Sequence, residues 1–244
     1  MNWVFPIAGY GMRTRALGSY KPLLELYPNH SVLKFCLMGL KDLISDKDYC
    51  TFIFSQKQEQ EFHVSYNVKK IVKELNIKAE IIISVIDVTP NGQALTVKKG
   101  VETLTKNILN QRTIVINSDQ VVFFDASSLN ASTNSVGLYF NDRASSCFYD
   151  LDLEKKVVTS IKEKNPISHY ASAGVFHFTS GYNLLECIEW GIDNNNYHNG
   201  ELYLGPCMGM EKISYFRTDM KFDLGNVKDI NRFKKFFENF WRHS

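Results

Sequence analysis

The sequence predicts an α/β fold, a Rossmann-like three-layer α/β/α sandwich around a mixed, mostly parallel sheet with antiparallel strands added in the second half. Apolar strand-type runs alternate four times with helical periods in the first 120 residues, as expected for parallel strands joined by helices. Polar turns that carry glycine or aspartate follow three of these segments. Shorter β-type runs joined by polar turns fill much of the remainder.

The first half supplies the repeating units. Residues 3–8 form an apolar run that ends in a glycine turn and is predicted to be a buried strand. Ser31 is a candidate N-cap for the first helix, because its hydroxyl can accept a hydrogen bond from a backbone N–H of the first turn. The remaining predicted strands are 51–54, 79–84 and 113–116, and the remaining helices are 59–75 and 93–104.

In the second half, strands are predicted at 135–139, 146–151, 157–164 and 173–178, and a helix at 182–190. A final helix has aromatic residues at helical spacing, and we expect this stripe to pack against the domain: Phe233, Phe236, Phe237, Phe240 and Trp241. No linker or repeat interrupts the sequence. It predicts a single domain, 1–244, with halves at 1–125 and 126–244.

Composition narrows the class of protein. The chain has 244 residues, 44% of them hydrophobic, and a formal net charge of +2, with basic residues scattered along it. A nucleic-acid partner is not indicated, because its surface would concentrate positive charge. The five cysteines form no C-x-x-C pair and are expected to be free thiols of a cytoplasmic protein. No apolar stretch approaches the about 18 residues of a membrane span.

The most informative segment follows the first predicted strand. Ala8-Gly9-Tyr10-Gly11-Met12-Arg13 is followed by Lys21-Pro22-Leu23. Glycines allow backbone N–H groups to approach an anion, and two nearby cations add charge-assisted hydrogen bonds, so the segment is typical of a polyphosphate site. An ordinary tight turn is the alternative. Thr14 stands where a dinucleotide-binding G-x-G-x-x-G would have its third glycine, and no P-loop is present.

Together with later segments, this one resembles the signature of the sugar nucleotidyltransferase superfamily in its short, single-domain form. The resemblance runs over about residues 2–235 in the family's order. The later segments are Gly92-Gln93-Ala94, Asn117-Ser118-Asp119, Glu163-Lys164, Ser172-Ala173-Gly174-Val175-Phe176 and Asp223-Leu224-Gly225-Asn226. The sequence departs from the family at Tyr10, Met12 and Ser118, where small residues, Ser/Thr or glycine are usual.

The resemblance implies a nucleotide-binding half, 1–125, an acceptor-binding half, 126–244, and a Mg²⁺-dependent transfer of a nucleoside monophosphate to an acceptor phosphate. Arg13 would hold the leaving pyrophosphate, and Lys21 would lie near the α-phosphate. Asp119 and Asp223 would bind Mg²⁺. The remaining implied contacts are to the nucleotide (Ala8, Gly9, Tyr10, Gly11, Met12, Gly92, Gln93) and to the acceptor (Lys164, Gly174, Glu201).

Several of these residues have a plain structural alternative. Asp119 is also typical of a turn residue that accepts local backbone hydrogen bonds. Asp223 is a metal ligand only if the fold brings it close to Asp119. Lys164 belongs to a charged run that would also suit a solvated strand edge, and Glu201 equally suits a helix cap.

Base preference depends on Asp87, which stands where relatives that use thymidine or uridine nucleotides commonly have glutamine. A carboxylate only accepts hydrogen bonds and cytosine presents an amino donor, so the sequence favours CTP. A strand-end role for Asp87 is the alternative. The overall pattern favours a capsule-type cytidylyltransferase, with phosphoglutamine, phosphocholine and sugar 1-phosphates as candidate acceptors.

Other classes stay open at this stage. They are a sugar-1-phosphate uridylyl-, thymidylyl- or guanylyltransferase, a catalytically silent nucleotide-binding regulator, and a Rossmann oxidoreductase, which Lys21-Pro22 fits poorly. The expected partners are a nucleoside triphosphate and a phosphorylated small molecule. The protein is expected to be a monomer or a small homo-oligomer.

Overall fold

The computed structural model describes residues 1–9, 20–129, 132–141, 143–144 and 146–241; the side chains of Ser128, Phe240 and Trp241 lie outside the description. The strands are β1 Asn2–Pro6, β2 Glu25–Tyr27, β3 His30–Ser31, β4 Tyr49–Ser55, β5 Glu80–Ile86, β6 Thr113–Ile116, β7 Gln120–Phe123, β8 Ser135–Phe140, β9 Cys147–Asp152, β10 Val157–Glu163, β11 Tyr170–Phe178, β12 Tyr197–His198, β13 Glu201–Leu202, β14 Ser214–Arg217 and β15 Met220–Asp223.

The helices are α1 Val32–Met38, α2 Gln56–Phe62, α3 Val64–Glu74, α4 Gln93–Val101, α5 Lys106–Leu109, α6 Gly181–Asp193, α7 Leu204–Cys207 and α8 Val227–Trp241. Short 3₁₀ helices cover Lys21–Leu23, Ala126–Ser128 and Met208–Met210. Within the described residues, no helix has both the length and the apolar character needed to span a membrane.

Nine of the described strands form one mixed sheet in the order β5-β4-β1-β6-β11-β8-β14-β10-β9. The pairings β5–β4, β4–β1 and β1–β6 are parallel. The strands of the second half add antiparallel pairings of β11 with β6 and β8, and of β10 with β9 and β14. The predicted α/β class, with its parallel core and antiparallel additions, is confirmed.

Apolar side chains cover both faces of the sheet because successive residues of a strand point to opposite sides. On β1, Trp3 and Phe5 join a core with residues of α1 and α3, whereas Val4 joins a second core with residues of α4 and α6. The helices that pack on the two faces, α1 and α3 on one side and α4 and α6 on the other, form the two outer layers of the predicted sandwich. A third cluster joins α8 to α1 through Phe233 and Phe35.

The structure corrects the helix predicted over 59–75. Two helices, α2 and α3, occupy this segment and meet at His63, whose φ of 47° is left-handed. The side-chain amide of Asn67 donates to the backbone oxygens of Phe62 and His63, and so satisfies carbonyls at the break. Apolar periodicity does not reveal such a break, because it indicates which positions of a helix are buried and not where one helix ends and the next begins.

Seven short strands among the described residues were not predicted, and three of them, β7, β14 and β15, bear on the architecture. β14 joins the main sheet parallel to β8, so the additions of the second half are not all antiparallel. β7 and β15 form a separate antiparallel pair. Each of the three has only four residues, too few for a clear alternation of polar and apolar side chains.

Candidate active site

A cavity of about 550 Å³ opens beyond the carboxyl ends of β1 and β6. The first four strands of the sheet have the order β5-β4-β1-β6. Strands β4 and β5 are added on one side of β1 and β6 on the other, and α/β folds place their ligands where the strand order reverses in this way. The cavity wall includes seven of the predicted site residues: Gly9, Lys21, Gln93, Asp119, Lys164, Glu201 and Asp223.

The end of β1 is held from two sides. The backbone oxygen of Ala8 accepts hydrogen bonds from the Gln58 side chain at 2.8 Å and the Thr89 hydroxyl at 3.2 Å. Gly9 follows at the cavity wall. The predicted phosphate contacts at Tyr10, Gly11, Met12 and Arg13 lie outside the described residues.

Lys21 is positioned by the 3₁₀ helix Lys21–Leu23, in which it is the first residue and Pro22 the second. Its ammonium lies 2.6 Å from Asp119 Oδ2 and donates to the backbone oxygen of Gly225 at 3.2 Å. Burial raises the pKa of Asp119, but the charge and hydrogen bond of Lys21 and the charge of Lys221 outweigh it and hold this pKa below its ordinary value. Asp119 is therefore a carboxylate at neutral pH.

Asp223 reaches the same region by strand pairing. In the β7–β15 pair Asp223 lies opposite Gln120, and the backbone N–H of Leu224 donates to the backbone oxygen of Asp119 at 2.7 Å. The two aspartates, separated by about a hundred residues in sequence, thus stand on neighbouring chain segments at the cavity wall. The metal interpretation of Asp223 stays a prediction.

Lys221 is a cation that the sequence analysis did not single out. Its ammonium lies 2.6 Å from Asp223 Oδ1 and 4.2 Å from the centroid of the Tyr139 ring. Burial lowers the pKa of Lys221, but the interactions with Asp223 and Tyr139 raise it by more than burial lowers it. The pKa of Lys221 therefore lies above its ordinary value, and the side chain stays charged. Alternation along a strand places residues i and i+2 on one face, so a prediction of β15 would have placed Lys221 beside Asp223.

The metal question concerns Asp119 and Asp223. Among the described residues, no group of three or more His, Cys, Asp and Glu side chains is arranged to hold a metal. The two carboxylates do supply the hard oxygen donors that Mg²⁺ prefers, and they face a cavity wide enough for phosphate oxygens to complete the coordination. The donor chemistry therefore fits Mg²⁺ bound together with a phosphorylated ligand.

Amide groups connect the ends of β6 and β11. The side-chain amide of Gln93 donates to the side-chain oxygen of Asn117, and the backbone N–H of Asn117 donates to the Gly174 oxygen at 2.9 Å. Gly174 has a φ of 67°, and a Cβ at this position would lie 2.5 Å from Gln120 Oε1 and 2.7 Å from Asn117 Nδ2. Only glycine fits here, although Gly174 itself does not line the cavity.

The wall farther along the chain carries both charges. The Lys164 ammonium donates to the Tyr203 hydroxyl at 2.5 Å and lies 3.9 Å from Glu201, whose carboxylate also accepts the Tyr203 hydroxyl. Burial raises the pKa of the neighbouring Glu163, and the charge of Lys164 offsets part of that rise. This wall can therefore contact an anion and hydroxyl groups of the same ligand.

Three predicted nucleotide contacts do not line the cavity: Ala8, Asp87 and Gly92. Asp87 is exposed immediately after β5, two residues before the threonine that bonds Ala8. Gly92 has a φ of 116° and lies against the backbone of Leu202, where a Cβ would come within 2.4 Å of the Leu202 nitrogen. Gly92 thus allows the start of α4 to approach β13.

Other wall residues were not predicted; they lie near the end of β8, in short loops or, for Asp229, in α8: Tyr139, Asn141, Arg143, Ser146, Tyr203, Asn226 and Asp229. The Asn141 side-chain amide donates to the Tyr139 hydroxyl at 2.8 Å and to the Ser146 hydroxyl at 3.0 Å. Asp229 lies 3.5 Å from Arg143, although the two are 86 positions apart. No local sequence pattern indicates such pairs.

The sequence matches no protein-family model and has no significant match among curated proteins. Its structure is similar to that of a nucleoside-diphosphate-sugar pyrophosphorylase from Vibrio cholerae RC9, with a TM-score of 0.81 at 22% identity over 96% of this chain and 99% of that one. A UDP-glucose pyrophosphorylase complexed with UDP-glucose superimposes with a TM-score of 0.69 at 16% identity, over 96% and 98% of the two chains.

A CTP:phosphocholine cytidylyltransferase from Streptococcus pneumoniae has a TM-score of 0.66 at 11% identity, with 97% of this chain and 98% of that one covered. The structural neighbours are thus nucleotide-sugar pyrophosphorylases and nucleotidyltransferases, cytidylyltransferases among them. At these identities the likeness establishes the fold. This chain has the nucleotidyltransferase fold over almost its whole length.

Proposed function

We propose that this protein is a nucleotidyltransferase that moves a nucleoside monophosphate from a nucleoside triphosphate to the phosphate of a small acceptor and releases pyrophosphate. Residues 1–125 would bind the nucleotide, and residues 126–244 the acceptor, within one domain. The observation that supports this most strongly is the convergence of Gly9, Lys21, Asp119 and Asp223 on one cavity. A glycine that shares a cavity with two carboxylates and a lysine suits a site for phosphoryl chemistry better than the alternative of an ordinary tight turn.

In the proposed reaction, an oxygen of the acceptor phosphate attacks the α-phosphorus in line with the bond to the departing pyrophosphate. One P–O bond forms and one breaks, and the leaving oxygen keeps its electron pair. The attacking oxygen is already anionic, so positioning and charge neutralisation replace a strong general base. Lys21 would neutralise charge near the α-phosphate, and Arg13 would hold the pyrophosphate.

Asp119 and Asp223 would hold Mg²⁺, which supplies positive charge to the phosphate oxygens when bound. Each aspartate also pairs with a lysine at 2.6 Å, which would place the two ammonium groups near the phosphates. Lys164 would contact the acceptor's phosphate, and Glu201 its other polar groups. Gly174 would shape the wall between nucleotide and acceptor through its contacts with Asn117 and Gln120.

CTP is the proposed donor because Asp87 stands where relatives that use thymidine or uridine nucleotides commonly have glutamine, and its exposed carboxylate could accept from a cytosine amino group. We further propose a role in capsule or surface polysaccharide biosynthesis, with phosphoglutamine or another non-sugar phosphate as acceptor. The fold similarity to a phosphocholine cytidylyltransferase supports a non-sugar acceptor.

A sugar-1-phosphate uridylyl-, thymidylyl- or guanylyltransferase is the second candidate. The higher TM-scores of the nucleoside-diphosphate-sugar and UDP-glucose pyrophosphorylases favour it, as do the carboxylates that could bind sugar hydroxyls at Glu163 and Glu201. A catalytically silent regulator is disfavoured, because such a protein would have no need to keep Lys21, Asp119 and Asp223 together.

A pyrophosphate-release screen tests the proposal by crossing CTP, UTP, dTTP and ATP with phosphoglutamine, phosphocholine and several sugar 1-phosphates in the presence of Mg²⁺. We expect release with CTP and one non-sugar acceptor. Release only with sugar 1-phosphates would select the second candidate, and nucleotide binding without release would select the regulator. Isothermal titration of the same nucleotides into Asp87→Asn decides base reading: an unchanged CTP preference would remove Asp87 from that role.

A further inference from the structure

Lys221 occupies an unusual place in the cavity wall. Only 7% of its side chain is exposed, and its ammonium is held by Asp223 Oδ1 at 2.6 Å and by the face of the Tyr139 ring at 4.2 Å. An ammonium this far from water is stable only with an anion beside it. Asp223, 40% exposed, supplies that anion.

The function proposed above gives Asp223 a second task. A carboxylate oxygen that coordinates Mg²⁺ loses much of its capacity to accept a hydrogen bond from an ammonium. Mg²⁺ bound to Asp223 would draw charge from the carboxylate, so that the carboxylate no longer fully neutralises the nearly buried Lys221 ammonium. A phosphate oxygen has the charge needed to take the place of the carboxylate oxygen.

The surroundings of Lys221 suit a phosphate monoester. Tyr139 lies in β8, and its hydroxyl accepts from the Asn141 side-chain amide at 2.8 Å and lies 3.3 Å from the Ser146 hydroxyl. These polar groups line the same cavity as Lys221 and belong to the proposed acceptor half, 126–244. They supply amide and hydroxyl groups around the place where a phosphate would meet the ammonium.

The other two lysines of the wall have different neighbours. Lys21 bonds Asp119 and the Gly225 oxygen, on the nucleotide side of the β7–β15 pair. Lys164 bonds the Tyr203 hydroxyl beside Glu201. Like Lys21, Lys221 is joined directly to a carboxylate that would bind the metal, but its other neighbour is the Tyr139 ring and not a backbone oxygen.

We propose that Lys221 binds the phosphate of the acceptor, exchanging the carboxylate of Asp223 for a phosphate oxygen when the substrates assemble. The ligand class is a phosphate monoester dianion. This inference rests on the proposed function, because it takes the acceptor to be a phosphate. It makes metal binding at Asp223 and acceptor binding at Lys221 favour each other, since each relieves the ion pair that opposes the other.

The test uses inorganic phosphate as the probe and isothermal titration of the full-length protein without Mg²⁺. Lys221→Met should weaken phosphate binding by about tenfold or more, the effect of a lost charge-assisted hydrogen bond. Asp223→Asn should strengthen it several-fold, because the competing carboxylate loses its charge. Lys228→Met, at an exposed lysine of α8 away from the cavity wall, should bind phosphate like the unaltered protein.

Equal phosphate affinity in Lys221→Met and the unaltered protein would overturn the proposal, and so would weaker binding in Asp223→Asn. A lysine that only supports Asp223 predicts neither of the two opposite shifts. If Lys221→Met does not fold by circular dichroism, Lys221→Gln and the Asp223→Asn arm decide the matter. In an active enzyme, Lys221→Met should raise the KM of the acceptor and leave that of the nucleotide.

Failure of the proposed function gives a different result. If no acceptor yields pyrophosphate with the unaltered protein, the transferase assignment fails. The opposite shifts of the two variants with inorganic phosphate would still show that Lys221 and Asp223 compete in an anion site. Absence of both shifts in a protein that does release pyrophosphate would refute the role of Lys221 alone.

Discussion

At the scale of single residues, the pair of Lys21 and Asp119 offers the sharpest comparison. The same N–O distance, 2.6 Å, joins Lys21 to Asp119 in the cavity and Lys34 to Glu74 on the outside of the molecule. A lysine–carboxylate pair near the surface contributes on the order of 1 kcal/mol or less to stability. Comparing variants of the two pairs therefore distinguishes the effect of a salt bridge on stability from the effect of its position in the cavity on catalysis.

We expect Lys21→Ala and Asp119→Ala to fold normally and to lose pyrophosphate release by several powers of ten, about the scale of a lost charge clamp. Lys34→Ala is the matched control and should keep turnover within about twofold. Initial rates of pyrophosphate release, with thermal melting as the folding check, measure the difference. Near-normal turnover of both cavity variants would refute the assignment.

At the scale of elements, the turn within β11 depends on Gly174. This residue and Gly200 both have positive φ, 67° and 75°, but only Gly174 is crowded. A Cβ at Gly200 would find its nearest neighbour at 3.7 Å, in ordinary contact with Asn91 Nδ2. An alanine at Gly200 would therefore cause backbone strain alone, whereas an alanine at Gly174 would also clash with the side-chain amides of Asn117 and Gln120.

Gly174→Ala should lower the free energy of unfolding by about 3 kcal/mol, the sum of left-handed strain and overpacking. Gly200→Ala should lower it by about 1 kcal/mol, from strain alone. Urea unfolding of both variants measures the two values. A Gly200→Ala variant as unstable as Gly174→Ala would show that the contacts with Asn117 and Gln120 contribute nothing.

β11 also carries a buried histidine that makes stability depend on pH. His177 lies 3.3 Å from the Ser135 hydroxyl through Nδ1. Burial lowers its pKa from 6.5 to about 4, and the charge of Arg112 adds to the shift. Between pH 4 and pH 6.5, His177 is protonated in the unfolded chain and neutral in the folded chain. The contribution of His177 is therefore complete above pH 6.5 and is lost as the pH falls towards 4.

We expect up to about 3 kcal/mol of unfolding free energy to disappear from this group between pH 7 and pH 4. His177→Gln should be less stable at pH 7 but should lose less stability on acidification. Urea unfolding of both proteins at pH 7, 5.5 and 4 gives the two slopes. Parallel slopes would mean that other groups cause the acid sensitivity.

At the scale of the whole molecule, α8 connects the two ends of the chain. The Phe233 ring lies 4.9 Å from that of Phe35 in α1 and 5.6 Å from that of Phe222 in β15. Phe233 and Phe237 pack as the aromatic stripe predicted, whereas Phe236 is 40% exposed. Asp223 and Gly225 directly precede this helix. Its packing therefore holds the second aspartate near the first.

Phe233→Ala should lower the free energy of unfolding by about 3 to 5 kcal/mol, as for other large aromatic truncations in a core. Phe236→Ala, at a half-exposed position of the same helix, should cost less than half as much. Urea unfolding compares them. If the two variants lost equal stability, the α8–α1 contact would not be the one that secures the helix.

The sequence predicted the fold class and most of its elements, because hydrophobic periodicity and turn residues are local signals. The run at 113–116 was predicted with the same bounds as β6, and Ser31 caps α1 through its hydroxyl as expected. It also singled out Asp119 and Asp223 as site residues. The break at His63 and the strands β7, β14 and β15 were missed, since none of them disturbs the period of a short window.

Pairing is what only the tertiary structure decided. Lys21 and Asp119 are 98 positions apart, and no spacing in the sequence predicts that they meet. The same holds for the strand register that brings Asp223 to the same region. Lys221 and Tyr139 also meet only because β15 and β8 reach the same cavity. Local sequence determines which segment becomes a strand or a turn. The site depends on which strand lies next to which, and that is settled by burial of the whole chain.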